Sequence, residues 1–174
     1  MNKIAIIGSG GSGKSTLAKK LGAKLMIDVY HLDSLFWKPN WVGVPKDEQI
    51  IVQNDLVKKQ KLIINRNYGG TMEIRLNTAD TIIFLDIPRT IYVFRVFKRI
   101  IKYRNKRRPD MGAGCEERFS IEFFKWIWEY PKTKKPGILI SLEDLSKEKV
   151  VIILKSPKEV KQFLEKQNNM KLST

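Results

Sequence analysis

Apolar residues recur along this chain in two rhythms. Short unbroken runs have the length and β-branched content of buried strands: Lys3-Ile4-Ala5-Ile6-Ile7, Leu25-Met26-Ile27, Lys61 to Asn65, Thr81 to Asp86 and Lys149 to Leu154. Between them the apolar positions repeat every three or four residues. Leu17, Ala18 and Leu21 share one face of a helix from Lys14 to about Ala23. Pro45 opens a helix to about Gln60, and Pro88 opens a longer one to about Tyr103, apolar at Val93, Val96, Phe97, Ile100 and Ile101. Further helices are predicted from Thr71 to about Asn77, Phe119 to about Tyr130, Gly137 to Leu145, and from a Ser156 cap to about Lys166. His31 to Pro45 reads as irregular or briefly helical, Arg104 to Gly114 as a polar loop, and the last residues as frayed. Five strands alternating with helices predict an α/β fold, a three-layer doubly wound parallel sheet. No internal repeat breaks the 174 residues, so they read as one domain.

The first strand runs straight into Gly8-Ser9-Gly10-Gly11-Ser12-Gly13-Lys14-Ser15-Thr16, and a helix follows. This is the GxxxxGK[ST] phosphate loop with its strand before and its helix after. The glycines let successive backbone N–H groups turn inward on phosphate oxygens. Lys14 carries charge to the β- and γ-phosphates, the Ser15 hydroxyl is placed for Mg²⁺, and the helix aims its positive end at the same anion. ATP and Mg²⁺ are therefore the expected ligands. By analogy with phosphate-loop kinases, the expected strand order is 2-3-1-4-5.

Charge changes the picture next. Lys and Arg number 33 against 18 Asp and Glu, a net +15, which favours phosphorylated ligands or nucleic acid. The excess is local: no acid lies between Asp86 and Asp110, while nine bases do, among them Arg89, Arg95, Lys98, Arg99, Arg107 and Arg108. No run approaches the roughly 20 apolar residues of a membrane span. Cys115 and His31 are each alone in their residue type, so neither a disulfide nor a Cys/His zinc site is expected. A strand and phosphate loop at the amino end do not read as a signal peptide, and the expected address is the cytoplasm.

Beyond the loop, Arg95 and Arg99 are four apart on the long helix and share a face, where they can clamp a transferring phosphoryl group. The basic segment from about 104 to 118 reads as a lid that excludes water, with Arg108 and Arg118 reaching phosphate, or as a plain surface loop. Asp33 either orients an acceptor hydroxyl and takes its proton or caps a helix. His31 reads as packed rather than catalytic. Arg75 either holds an anionic group of the acceptor or lies on a helix surface. The acceptor segment is expected over about 31–75. Trp37, Trp41, Trp126 and Trp128 are candidates for stacking on a base but fit core or lid packing better. Asn65 ends the strand expected beside the loop, where an acid would serve a metal ion; Asp86 ends the next strand.

These segments together resemble the adenylate-kinase-like phosphate-loop proteins labelled DNA topology modulation proteins, over nearly the whole length. The likeness is carried by Ile6 to Thr16, His31-Leu32-Asp33, Leu35 to Pro39, Asn67 to Thr71 with Arg75-Leu76, and Ala79 to Asp86. Arg108-Pro109-Asp110-Met111, Gly114-Cys115 and Phe123 to Trp128 continue it. The resemblance implies a nucleoside-monophosphate-kinase-like fold, ATP binding and phosphoryl transfer. It matches Arg95 and Arg99 to lid-base arginines and sets Lys155-Ser156-Pro157 against adenine; Asn67, with Asp33, Arg75 and Arg108, is a candidate acceptor-binding residue. The family usually reads Asp-Gly-Asn-Tyr where this chain reads Asn65-Arg66-Asn67-Tyr68. That exchange is expected to weaken metal binding, and to let Arg66 crowd the acceptor or add a phosphate contact.

The expected protein is a Mg²⁺-dependent ATP-binding phosphotransferase for a small acceptor, with nucleosides and nucleotides among the candidates. The alternatives are a nucleic-acid-binding regulator using the basic stretch 89–108, and a degenerate kinase that binds ATP and turns over slowly.

Overall fold

A computed structural model describes residues 1–67, 69–106 and 108–169; Tyr68, Arg107 and residues 170–174, all within segments read above, lie outside the described residues. In chain order the elements are β1 (Lys3–Gly8), α1 (Lys14–Leu25), β2 (Val29–His31), α2 (Leu32–Phe36), β3 (Trp37–Lys38), a 3₁₀ turn (Pro39–Trp41), β4 (Val42–Gly43) and α3 (Lys46–Val57). There follow β5 (Leu62–Asn65), a second 3₁₀ turn (Gly69–Thr71), α4 (Met72–Thr78), β6 (Thr81–Leu85), α5 (Arg89–Lys102), α6 (Ile121–Thr133), α7 (Lys135–Leu145), β7 (Val150–Leu154) and α8 (Pro157–Asn169).

Five strands form one sheet in the order β2-β5-β1-β6-β7, with every pairing parallel. With the short β3–β4 hairpin set aside, this is the expected order 2-3-1-4-5. Alternation along the strands builds the two faces. Ile4, Ile6, Ile63, Ile83 and Leu85 pack with Leu17 and Leu21 of α1 and Phe163 and Leu164 of α8. On the other face Ala5, Ile7, Ile82 and Phe84 meet Leu76 of α4, Tyr130 of α6, and Ile138 and Leu142 of α7. Leu62 and Ile64 continue that face under Leu56 of α3 and Leu32 and Phe36 of α2. Among the described residues no helix is long and apolar enough to cross a membrane.

The second strand is displaced from its expected place. Leu25 is the last residue of α1, and Met26 turns left-handed (φ 55°) to cap it, 80% exposed, with its N–H returned to Gly22. The strand is Val29–His31 instead. Three apolar residues carry no period of their own, and the helix keeps them until the left-handed cap ends it.

The topology positions the site. β1 lies between β5 and β6, so the loop after Gly8 emerges between Asn65 on one side and Asp86 on the other. This is the crevice at the carboxyl ends of the strands, where doubly wound sheets bind ligands.

Candidate functional site

The phosphate loop is held open by packing from α5 and α6. Gly11 has φ 77°, and a Cβ there would lie 2.5 Å from the Tyr92 carbonyl oxygen on α5. Gly13 caps α1 with φ 104° and no side-chain cap, which leaves the first amides of the helix free to point at an anion. Arg95 Nη1 donates to the Ser12 carbonyl at 3.1 Å and so braces the loop from α5. Ser12 Oγ is buried with no hydrogen-bond partner among the described residues. Lys14 is 5% exposed, and its ammonium donates to the carbonyls of Gly8 and Ser9 at 2.6 and 2.7 Å. Burial, then the neighbouring charge of Arg66, lowers its pKa to about 7 against the opposing pull of Asp33 and Asp110.

Ser15 leads into a second network. Its hydroxyl donates to Asp110 Oδ2 at 2.8 Å and receives Asn65 Nδ2 at 3.4 Å. Asn65 is fully buried, and its Oδ1 lies 3.0 Å from His31 Nδ1. His31 is thus a hydrogen-bonded support, its pKa lowered by burial. Arg66 Nη2 bridges Asp33 Oδ2 at 2.6 Å and Asp110 Oδ2 at 2.8 Å. Burial pushes the Asp110 carboxyl up, but Arg108, Arg66 and the Ser15 hydrogen bond outweigh it and hold the group below its ordinary range. Arg66 has φ 127°, a conformation that costs a residue with a side chain about 1–3 kcal/mol.

A third network joins α5 to the 104–118 segment. Glu117 is 5% exposed, accepts a hydrogen bond from Arg99 at 3.0 Å, and forms an ion pair with Arg108 (Nε to Oε2, 2.7 Å). Burial and the adjacent Arg108 lower the pKa of Arg99, with Glu117 opposing. Neither Glu117 nor Asp110 stands out as a site residue in the sequence. The available signal is that they are among the first acids after a long basic run, where buried cations need partners.

Two cavities meet at these networks. One, of about 850 Å³, runs along the phosphate loop and α8, past Thr16, Tyr103, Pro157 and Lys161. The other, of about 950 Å³, is walled by Asp33, Trp37, Trp41, Phe123, Trp126 and Tyr130 among others. Lys14, Arg66, Arg99 and Arg108 border both. Four cations therefore stand where the two spaces join.

The remaining predicted residues fall as follows. Asn67 borders the larger cavity, accepts from the Gly8 N–H at 2.9 Å, and donates to Tyr130 Oη at 3.2 Å. Arg75 is not an acceptor-facing group. It is 2% exposed, walls neither large cavity, and donates to Gln53 Oε1 and to the carbonyls of Thr71 and Arg66. An arginine on a short helix packed against α3 has no open face to offer. Of Lys155, Ser156 and Pro157, Pro157 reaches the smaller cavity. Ser156 and Lys155 instead engage Glu159, as an N-terminal capping pair. Trp37, Trp41 and Trp126 wall the larger cavity, while Trp128 lies under Arg89, 4.0 Å from its ring centroid. Asp86 pairs with Lys135 at 2.8 Å.

The segment read as a lid is anchored. Met111 and Cys115 are buried, the Gly114 carbonyl accepts from Asn40 N–H, and Trp41 Nε1 donates to the Glu116 carbonyl. The basic stretch 89–108 is divided: Arg95, Arg99 and Arg108 turn inward, whereas Lys98, Lys102, Arg104 and Lys106 are exposed. Arg118 is exposed over the Trp41 ring at the rim of the larger cavity.

Among the described residues no group of three or more His, Cys, Asp or Glu could hold a metal ion. Ser15 contributes one hydroxyl, between Asp110 and Asn65.

No family model matches the chain, and no curated protein matches it. Solved structures do. Shikimate kinase from Acinetobacter baumannii, in complex with shikimate, superposes with a TM-score of 0.62 at 13% identity, covering 99% of this chain and 94% of that one. Shikimate kinase from Bacteroides thetaiotaomicron gives 0.54 at 16% identity, covering 96% of each. The chain has the five-stranded parallel fold of the phosphate-loop kinases.

Proposed function

We propose that this chain is an ATP-dependent phosphotransferase acting on a small acceptor. The observation that carries the reading is the junction of the two cavities at Lys14, Arg66, Arg99 and Arg108, beside an intact phosphate loop. Polyphosphate fits the loop side, where an uncapped helix start, a partnerless Ser12 hydroxyl and the Lys14 ammonium converge. The acceptor belongs in the aromatic-walled cavity. Trp37, Trp41 and Trp126 suit a flat ring, which favours a nucleoside or nucleotide. The two superposed structures are small-molecule kinases and support the reading at the level of fold.

In this reading the phosphates displace the loop carbonyls from Lys14, which then stabilises charge on the leaving oxygen. Arg99 and Arg108 exchange Glu117 for the equatorial oxygens of the moving phosphoryl group. Asp33, at the wall of the acceptor cavity, orients the acceptor hydroxyl and takes its proton as the bond to phosphorus forms and ADP leaves. A Mg²⁺ ion, if the nucleotide brings one, would add charge neutralisation on the phosphates, with the Ser15 hydroxyl as the protein group closest to hand. The kinship with DNA topology modulation proteins is part of this proposal.

Incubation of the protein with ATP, Mg²⁺ and a panel of nucleosides, nucleotides and small hydroxylated acids tests it. Acceptor-dependent ADP release is expected. Measurable ATP binding with no ADP from any acceptor would overturn it.

A further inference from the structure

Arg66 stands where the backbone resists a side chain, with φ 127°. The chain nevertheless holds it from both sides. Its N–H donates to the Ile6 carbonyl at 3.2 Å, and its own carbonyl accepts from the buried Arg75 at 2.9 Å. A conformation disfavoured for arginine, kept by hydrogen bonds to its N–H and its carbonyl, points to a use for the guanidinium there.

The guanidinium lies at the junction of the two cavities. It bridges Asp33 and Asp110 at 2.6 and 2.8 Å, and it borders both large cavities. Asp110 Oδ2 accepts simultaneously from Arg66 Nη2 and from the Ser15 hydroxyl, each at 2.8 Å. The positive charge of Arg66 and the Ser15 hydroxyl therefore share a single oxygen. The side chain on the other side of Ser15 is Asn65, which is neutral. A divalent ion at Ser15 would find both nearby carboxylates already paired with a guanidinium, and would sit beside that like charge. A bare polyphosphate meets the opposite situation: Lys14, Arg66, Arg99 and Arg108 surround its path against Asp33, Asp110 and Glu117.

We infer that Arg66 is a resident cation that takes over the charge-neutralising part of the divalent ion, so that this chain binds nucleoside triphosphate without metal. The inference rests on the nucleotide reading above for its ligand. The guanidinium binds phosphate oxygens bidentately, which a metal-held carboxylate cannot do. Arg66 thereby becomes a nucleotide-binding residue, set at the threshold of the acceptor cavity.

Calorimetric titration of the whole chain with ATP, once in Mg²⁺ and once in EDTA, tests this without reference to turnover. For the unaltered protein the two dissociation constants are expected within about threefold. For Arg66→Gly, which suits the φ of 127°, affinity in EDTA is expected to fall at least about tenfold below that in Mg²⁺, the scale of one lost charge-assisted contact. A loss of tenfold or more on chelation in the unaltered protein would overturn the inference, whatever the variant does. Equal constants for Arg66→Gly in the two buffers would overturn it as well. Absence of binding in both buffers would instead overturn the nucleotide reading, and this inference with it.

Discussion

Lys14 shows how a single residue carries the chemistry of the loop. An ammonium buried without an anionic partner is costly, and here it leans on two carbonyl oxygens and has a pKa of about 7. Polyphosphate on the loop returns that pKa toward the ordinary lysine range. Binding must then take up a proton at neutral and higher pH. The sign follows from linkage: below about pH 7 the lysine is already charged and affinity is flat, and above it affinity falls by up to about tenfold per pH unit until the pKa of the complex is passed. Titrations in buffers of different ionisation enthalpy should show net proton uptake near pH 8. A pH-independent affinity between 7 and 9, with no proton uptake, would show that the lysine stays charged in the free protein.

At the scale of elements, the site depends on one contact between α5 and the segment that follows it. Glu117 neutralises Arg99 from the helix and Arg108 from the segment, and all three are largely buried. Glu117→Gln removes the charge and keeps the shape, leaving two guanidinium groups uncompensated. A loss of about 3 kcal/mol in urea unfolding is expected, the usual cost of breaking a buried ion pair from one side. Millimolar inorganic phosphate should restore part of it, because an anion at the same guanidinium groups replaces the carboxylate. An unchanged urea midpoint would mean that these pairs hold nothing together. The same contact explains why a polar, basic sequence is not a free flap. Cys115, beyond the run of bases, ties it to Lys38 of β3, and Met111 is buried.

At the scale of the molecule, four cations gather at the cavity junction against three carboxylates, and on the proposed reading a polyanion completes the balance. ATP at about a hundred times its dissociation constant should stabilise the fold by ~2.7 kcal/mol, a rise in melting temperature of roughly 5–10 °C for a chain of this size. Adenosine, which lacks phosphate, should give far less in the same thermal scan. Equal shifts for the two ligands would move recognition from the phosphate loop to the base.

How much of this was legible beforehand depends on the range of the interaction concerned. The phosphate loop, the parallel sheet and the long helices rest on patterns within a few residues: a run of glycines before Lys14, unbroken apolar strands, and helical spacing after Pro88. Those local rules held, apart from the second strand, where three apolar residues were too few to choose between helix and strand. Helical spacing and the basic lid-like segment pointed to Arg99 and Arg108 as phosphate ligands but not to Glu117, which balances both. Arg75 was visible as a cation yet not as the buried clasp of Gln53 and of the Arg66 carbonyl. The composition and the glycine-rich loop motif were thus determined by the sequence alone, because each is read from short-range pattern, whereas the strand order was expected only by analogy and was decided by the tertiary structure. Which carboxylate meets which guanidinium was decided only by the tertiary structure. Asp33, Arg66 and the Asp110–Glu117 segment lie on three separate stretches of chain, and only the packing of the sheet and its helices brings these groups within ion-pair distance of one another or of a shared arginine.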